Sequence, residues 1–277
     1  MKYSIWRQSR RIENEYLKTL YTLCDMFRKI AQSVGEDQAL YMQRMNQFQN
    51  SYQYEKYIMS AVKRMVTPIA DINAKTWREA ARKSTRGRFL YDLLIEELQQ
   101  GKDVLINDQL LENAALIKTL PNDIAEKVVK DIADEALKGK RARSIEKIIM
   151  QETDKHSRAS ARLIARTEVA KTQSALTRVR AQSLDMQWYV WRTALDGNRV
   201  RPSHRLMEGV LVNWNDPPSP EALAGEKSVG NYHAGNIWNC RCFSEVLVDI
   251  DDVKWPHKVY RNGQIQMMSK SEFSNLL

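Results

Sequence analysis

Four side chains in the last third of the chain, Cys240, Cys242, His204 and His233, are of the types that hold a transition metal. Thiolates and imidazoles are the ligands zinc prefers, and four of them close a tetrahedral site. If residues 240–246 form a strand, Cys240 and Cys242 point to one face and reach one ion together. The blander reading is two small cysteines buried on that face, because the two-residue gap usual in zinc knuckles is missing. Zinc is the one cofactor these residues admit, and no other is expected. Acid–base or phosphodiester chemistry is a further option, since Asp196, Arg201 and His204 lie close together. No recognisable nuclease pattern accompanies them, so no catalytic residue is assigned.

Two other sets carry charge in a pattern. Arg166, Thr167 and Glu168 sit inside a helical stretch. A structural role is favoured for them: Glu168 faces Lys171 or Thr172 one turn on, and Arg166 reaches a carboxylate of the following segment, with Asp196 as the candidate. Arg78, Arg82, Lys83, Arg86 and Arg88 form the densest basic cluster, and Lys138, Lys140, Arg141 and Arg143 the next. Such clusters neutralise phosphates without reading sequence, and equally serve as solvated faces or as contacts to an acidic protein.

The elements that must position these groups divide at Gln187. Before it, apolar residues recur at helical spacing. Ile12, Tyr16, Leu20, Leu23, Phe27 and Ile30 form one stripe; Tyr41 to Met65 forms a second long helix. Asp71 is expected to cap a third helix through Trp77 and Ala81, followed by Phe89–Leu98, Leu105–Leu120 and Pro121–Leu137. After a loop at Lys138–Arg143, a short helix spans Ser144–Glu152. A long one, capped by Asp154 or Ser157, runs to about Asp185 with Ala165, Val169, Leu176 and Val179 facing a core. Beyond Gln187 glycine and proline concentrate, and Trp188–Ala194, Val210–Trp214 and Phe243–Val248 read as short strands. Pro202–His204 starts a short helix, and Asp216–Asn236 is a long loop anchored by Pro217, Pro218 and Pro220. Asn262–Gly263 marks a turn after one more strand, Lys258–Tyr260. The fold class expected is a mainly α N-terminal region followed by a small α+β domain with short antiparallel strands.

With 277 residues and 43% apolar content, one or two packed domains are expected and full disorder is excluded. No run of about 18 apolar residues is present, so no membrane span or membrane partner is expected, and the polar, basic start reads as no secretory leader. Three cysteines make no disulfide framework, and Cys24 falls in an apolar helical pattern as a small core residue. The net charge is +9. Residues 191–277 carry equal numbers of acidic and basic side chains, so the excess belongs to the helical part.

The ordered set Ala165–Glu168, Trp188–Ala194, Asp196, Arg201–His204, Gly209–Asn213, Pro217–Pro220 and Cys240–Val246 resembles the head-morphogenesis domain of tailed bacteriophages, the phage Mu F-like minor head protein family. The resemblance covers roughly residues 155–250 and implies a virion protein without enzymatic activity. It implies association with the portal protein at the portal vertex during procapsid assembly, in the host cytoplasm. Residence inside the head near the portal follows, with scaffold or major capsid protein and packaged double-stranded DNA as further partners. The organisation expected is a helical region at 1–152 that carries the portal-binding surface, the head-morphogenesis domain at 153–252, and a C-terminal tail at 253–277. Two rivals remain: a nucleic-acid-acting enzyme built on the Asp196, His204 and His233 loops, and a non-specific DNA-binding protein.

Overall fold

A computed structural model describes residues 4–84, 87, 91–92, 94, 102–137, 145–194 and 200–277, with backbone alone at 102–106 and 108. The described residues gather into two compact units. One draws on Met1–Ser9, Pro68–Leu105 and Arg166–Leu277, the other on Arg10–Thr67 and Ile106–Ala165.

The second of these units is helical. Helix α1 (Arg10–Ser33) buries Ile12, Tyr16, Leu20, Leu23, Cys24, Phe27 and Ala31, at the steps of three and four that the sequence repeats. Asp37 caps α2 (Gln38–Gln49) by accepting from the Leu40 amide at 2.9 Å. The helix expected from Tyr41 to Met65 is two. The chain breaks at Asn50 and Ser51, where the Asn50 amide side chain donates to the Asn46 carbonyl and the Ser51 hydroxyl accepts from the Tyr54 amide. Helix α3 (Tyr52–Lys83) then runs through Pro68 without stopping, and Asp71 lies inside it rather than at a cap. The proline forgoes one main-chain hydrogen bond, while Met65, Val66, Ile69 and Ala70 around it are all buried, and that burial offsets the loss. Helices α4 (Lys102–Lys118) and α5 (Leu120–Leu137) follow. Buried hydroxyls tie the bundle: Tyr54 donates to the Ile117 carbonyl at 2.6 Å, and Tyr41 bonds Thr153 at 2.6 Å.

Helix α6 (Ile145–Ser183) is continuous over 39 residues where two helices were expected. The cap-like residues bond within it: Ser157 is fully buried and donates to the Asp154 carbonyl, and the Asp154 carboxylate takes the Arg158 Nε–H at 2.8 Å. No glycine or proline lies within the helix to stop it. Its residues from Arg166 onward belong to the first unit. There Val169, Gln173, Leu176 and Arg180 are buried, a phase that leaves Val179, expected in the core, 41% exposed.

The rest of the first unit is built on a five-stranded sheet of order β3-β1-β2-β4-β5. Its strands are β1 (Trp188–Arg192), β2 (Leu211–Asn213), β3 (Phe243–Val246), β4 (His257–Arg261) and β5 (Gln264–Met268). β1 pairs antiparallel with β2 and with β3, in register Tyr189 to Val212 and Tyr189 to Val246. The sheet is mixed, since β2 and β4 pair in parallel through Leu211 and Val259. Side chains alternate across β1. Tyr189 and Trp191 join a core with Val212, Trp214, Ala181, Trp77 and Trp6, while Trp188 and Val190 join a second core with Leu211, Val259 and Phe273. Both faces are therefore covered. The segment after Val253, expected as a tail with one strand, is a hairpin and a helix. Asn262 and Gly263, both at positive φ, turn β4 into β5, and α9 (Lys270–Ser274) lays the fully buried Phe273 against the ring of Trp188.

Candidate functional site: a buried histidine–cysteine cluster

Three irregular segments of the first unit meet beside β1. Pro202 occupies the first turn of helix α7 (Pro202–Leu206), where its missing N–H costs nothing, and that turn sends His204 inward to 2% exposure. The long loop forms one helical turn, α8 (Pro220–Leu223), which buries Glu221; further along, the loop is pinned by the Tyr232 amide donating to the Pro218 carbonyl. The third segment turns at Asn239, which holds φ 59, and delivers Cys240 and Cys242 just before β3. The two cysteines precede the strand rather than lying in it, and both are buried.

The cluster has a readable polarity. His204 Nδ1 lies 3.3 Å from Cys242 Sγ and 3.5 Å from Cys240 Sγ. Its Nε2 lies 3.0 Å from the Tyr232 hydroxyl, which donates to the Glu221 carboxylate at 2.7 and 2.8 Å. A hydroxyl has one proton. Tyr232 spends it on Glu221, so it can only accept from His204, and Nε2 carries the imidazole proton. Nδ1 is then left facing two sulfurs. Burial, reinforced by the Glu221 carboxylate, raises the Tyr232 pKa and keeps that proton in place. A hydrogen bond from Cys242 holds the Cys240 thiol well below its ordinary range, and the same bond with burial drives Cys242 well above it. Of the two, Cys240 gives up its proton the more readily and Cys242 keeps it.

A cleft of about 360 Å³ opens beside the cluster, lined by His204, both cysteines, and Arg166, Arg201 and Arg241. Arg166 and Thr167 both act on the Asn239 turn: Arg166 Nη1 donates to its side-chain oxygen at 2.5 Å, and its amide donates to Thr167 Oγ1 at 3.0 Å. The Arg-Thr pair therefore fixes the turn that presents Cys240. Glu168 faces Lys171 at 3.7 Å. Arg201 donates to the Trp238 carbonyl and lies over its ring. Asp196 lies outside the described residues, as do Arg86, Arg88, Lys138, Lys140, Arg141 and Arg143. Arg82 and Lys83 are exposed near the end of α3, Lys83 paired with Glu79, and Arg78 is half-buried.

Of the four expected ligands, the structure brings three together and sets His233 apart. Its Nδ1 meets the Tyr189 hydroxyl at 3.2 Å and its ring packs 5.1 Å from that of Trp214. Glu221 and Tyr232 were not singled out by sequence. Nothing in their spacing marks them, because the loop fold alone carries them to His204.

His233 gives a pH prediction. Burial, with Arg178 adding repulsion, lowers its pKa from 6.5 to about 4. Between those values the unfolded chain binds a proton that the folded chain refuses, so stability is full above 6.5 and is lost as pH falls toward 4, by up to roughly 3 kcal/mol. Urea midpoints measured near neutral pH and near pH 4.5 should differ more for the parent than for His233→Gln. Equal differences would show that this imidazole is not the proton sink.

Residues 126–245, and with them α7, the cysteine segment and all of α6, match the model of a family of bacteriophage head morphogenesis. That family is described as Phage Mu protein F like protein, and the resemblance carried by the motifs stands on this match. A protein of Haemophilus influenzae, described as uncharacterized, is 25% identical over 170 residues, which are 61% of this chain and 35% of that protein. The chain thus spans about a third of that relative's length. No solved structure matches. No helix among the described residues is long and apolar enough to cross a membrane.

Proposed function

We propose that this protein is a minor head protein that joins the portal vertex during procapsid assembly, stays inside the head, and meets packaged DNA there. The observation that carries the reading is the match of residues 126–245 to the Mu F-like family. The portal-binding surface is assigned to the helical region 1–152, where exposed apolar side chains such as Tyr52 and Leu111 offer contact points. Exposed Arg82 and Lys83 suit phosphate or an acidic protein surface. The cluster favours a structural protein over the enzyme reading. Both ring nitrogens of His204 are engaged and His233 is bonded to Tyr189, so the two histidines do not converge on one substrate position.

The test is co-purification of the full chain with its cognate portal oligomer from cells expressing both. The expected result is stable association, lost in the double variant Tyr52→Asp with Leu111→Asp. Association unchanged by that variant would keep the role and move the surface. A full chain that never binds portal, yet cleaves duplex DNA, would replace the assembly reading with the enzymatic one.

A further inference from the structure

We propose that His204, Cys240 and Cys242 form a zinc centre with three protein ligands and a fourth position reached from the arginine-lined cleft. The distances fit it. Zinc–sulfur bonds of about 2.3 Å and a zinc–nitrogen bond of about 2.0–2.1 Å at the tetrahedral angle put nitrogen and sulfur roughly 3.6 Å apart. His204 Nδ1 stands 3.5 and 3.3 Å from the two sulfurs. All three ligand atoms lie within 4.8 Å of one another, and among the described residues no fourth histidine, cysteine or carboxylate joins them.

The surroundings fit a metal ligand better than a core histidine. The Glu221–Tyr232 relay fixes a proton on Nε2 and turns Nδ1 toward the sulfurs, the arrangement that orients metal-bound imidazoles elsewhere. Two thiolates and an imidazole select a soft or borderline ion, zinc above magnesium or calcium. Two thiolates with one divalent ion form a neutral unit, which a buried site tolerates. The ion would also join α7 to the segment before β3, neither of which is held by sheet hydrogen bonds at that point. Arg166, Arg201 and Arg241 line the same cleft as the ligands, so an anionic or water-derived fourth ligand is favoured.

The inference stands apart from the portal reading and is tested on the full chain, purified without a histidine tag in zinc-supplemented medium under reducing conditions. Elemental analysis should give about one zinc per chain. Cobalt exchanged into the site should show thiolate charge-transfer absorption, and added azide should shift its visible bands because the fourth position is open. Cys240→Ser should lose the metal. Glu221→Gln keeps the shape of the side chain and should fold as the parent does, with zinc affinity about 10- to 100-fold weaker. His233→Gln should retain the full complement. A folded, zinc-free parent that takes up no cobalt would overturn the proposal, as would a Cys240–Cys242 disulfide in the folded protein. A Cys240→Ser variant that binds zinc as tightly as the parent would also do so. A cobalt spectrum indifferent to azide would overturn the open fourth position.

Discussion

Trp191→Ala should cost about 3–5 kcal/mol, the range for removing a large aromatic side chain from a packed core. Trp191 is fully buried on β1, with β2 and β3 bonded on either side of its strand. Its ring packs against His204 and Tyr232, at centroid distances of 5.7 and 6.2 Å. Neither neighbour can relax into the space, because each is held by the relay that ends on Glu221. The cavity therefore stays largely open, which puts the loss toward the upper end of the range. Urea unfolding followed by near-ultraviolet circular dichroism should show a lower midpoint with the slope unchanged. Trp238, 52% exposed, is the control, and Trp238→Ala should move stability by no more than about 0.5–1 kcal/mol. Similar losses for the two tryptophans would mean that the β1 core is not packed as described.

Gly235→Ala should cost about 3 kcal/mol or more, although it adds one methyl group. Gly235 sits at φ 84, a conformation that costs an L-residue about 1–2 kcal/mol. A Cβ there would also stand 2.8 Å from the Cys242 carbonyl oxygen, 3.3 Å from Gln8 Nε2 and 3.4 Å from the Ala170 carbonyl oxygen. The nearest obstacle is main chain, so relief requires moving the cysteine segment itself and breaking the Gln8 bond to the same carbonyl. Gly225 separates the two causes: its φ is 75 and nothing lies within 4 Å of a Cβ there. Gly225→Ala should show the conformational cost alone. Equal shifts in thermal midpoint for the two variants would show that the close approach at Gly235 contributes nothing.

Sequence reading recovered the parts of the fold that repeat and missed those decided by single contacts. The α1 stripe was legible because seven buried residues share one face. The boundary between α2 and α3 was not, because Ser51 looks no more like a cap than Asp71 until its hydroxyl is seen to accept from Tyr54. The end of the chain looked like a tail because its buried residues, Val259, Tyr260, Met268 and Phe273, are few and widely spaced. The site was legible in residue type and half-legible in geometry. His204 and the cysteines converge as the motif spacing suggested, whereas the neighbour relation of Tyr232 and His233 hides that they face different partners. Arg166 was expected to tie the helix to Asp196, which lies outside the described residues; the partner seen for the Arg-Thr pair is the Asn239 turn, whose left-handed backbone the sequence does not announce.

The unit that holds the cluster is assembled from three stretches of chain, and this sets an order of folding during synthesis. The unit formed by Arg10–Thr67 and Ile106–Ala165 has all its parts once residue 165 is made. The other waits for β1, β2 and β3. Until then Trp6 and Trp77, which end stacked edge to face at 5.0 Å, have no sheet to pack against. Two large aromatic side chains thus stay unpaired with their final core while the intervening chain is made, an interval in which chaperones and assembly partners meet a growing protein.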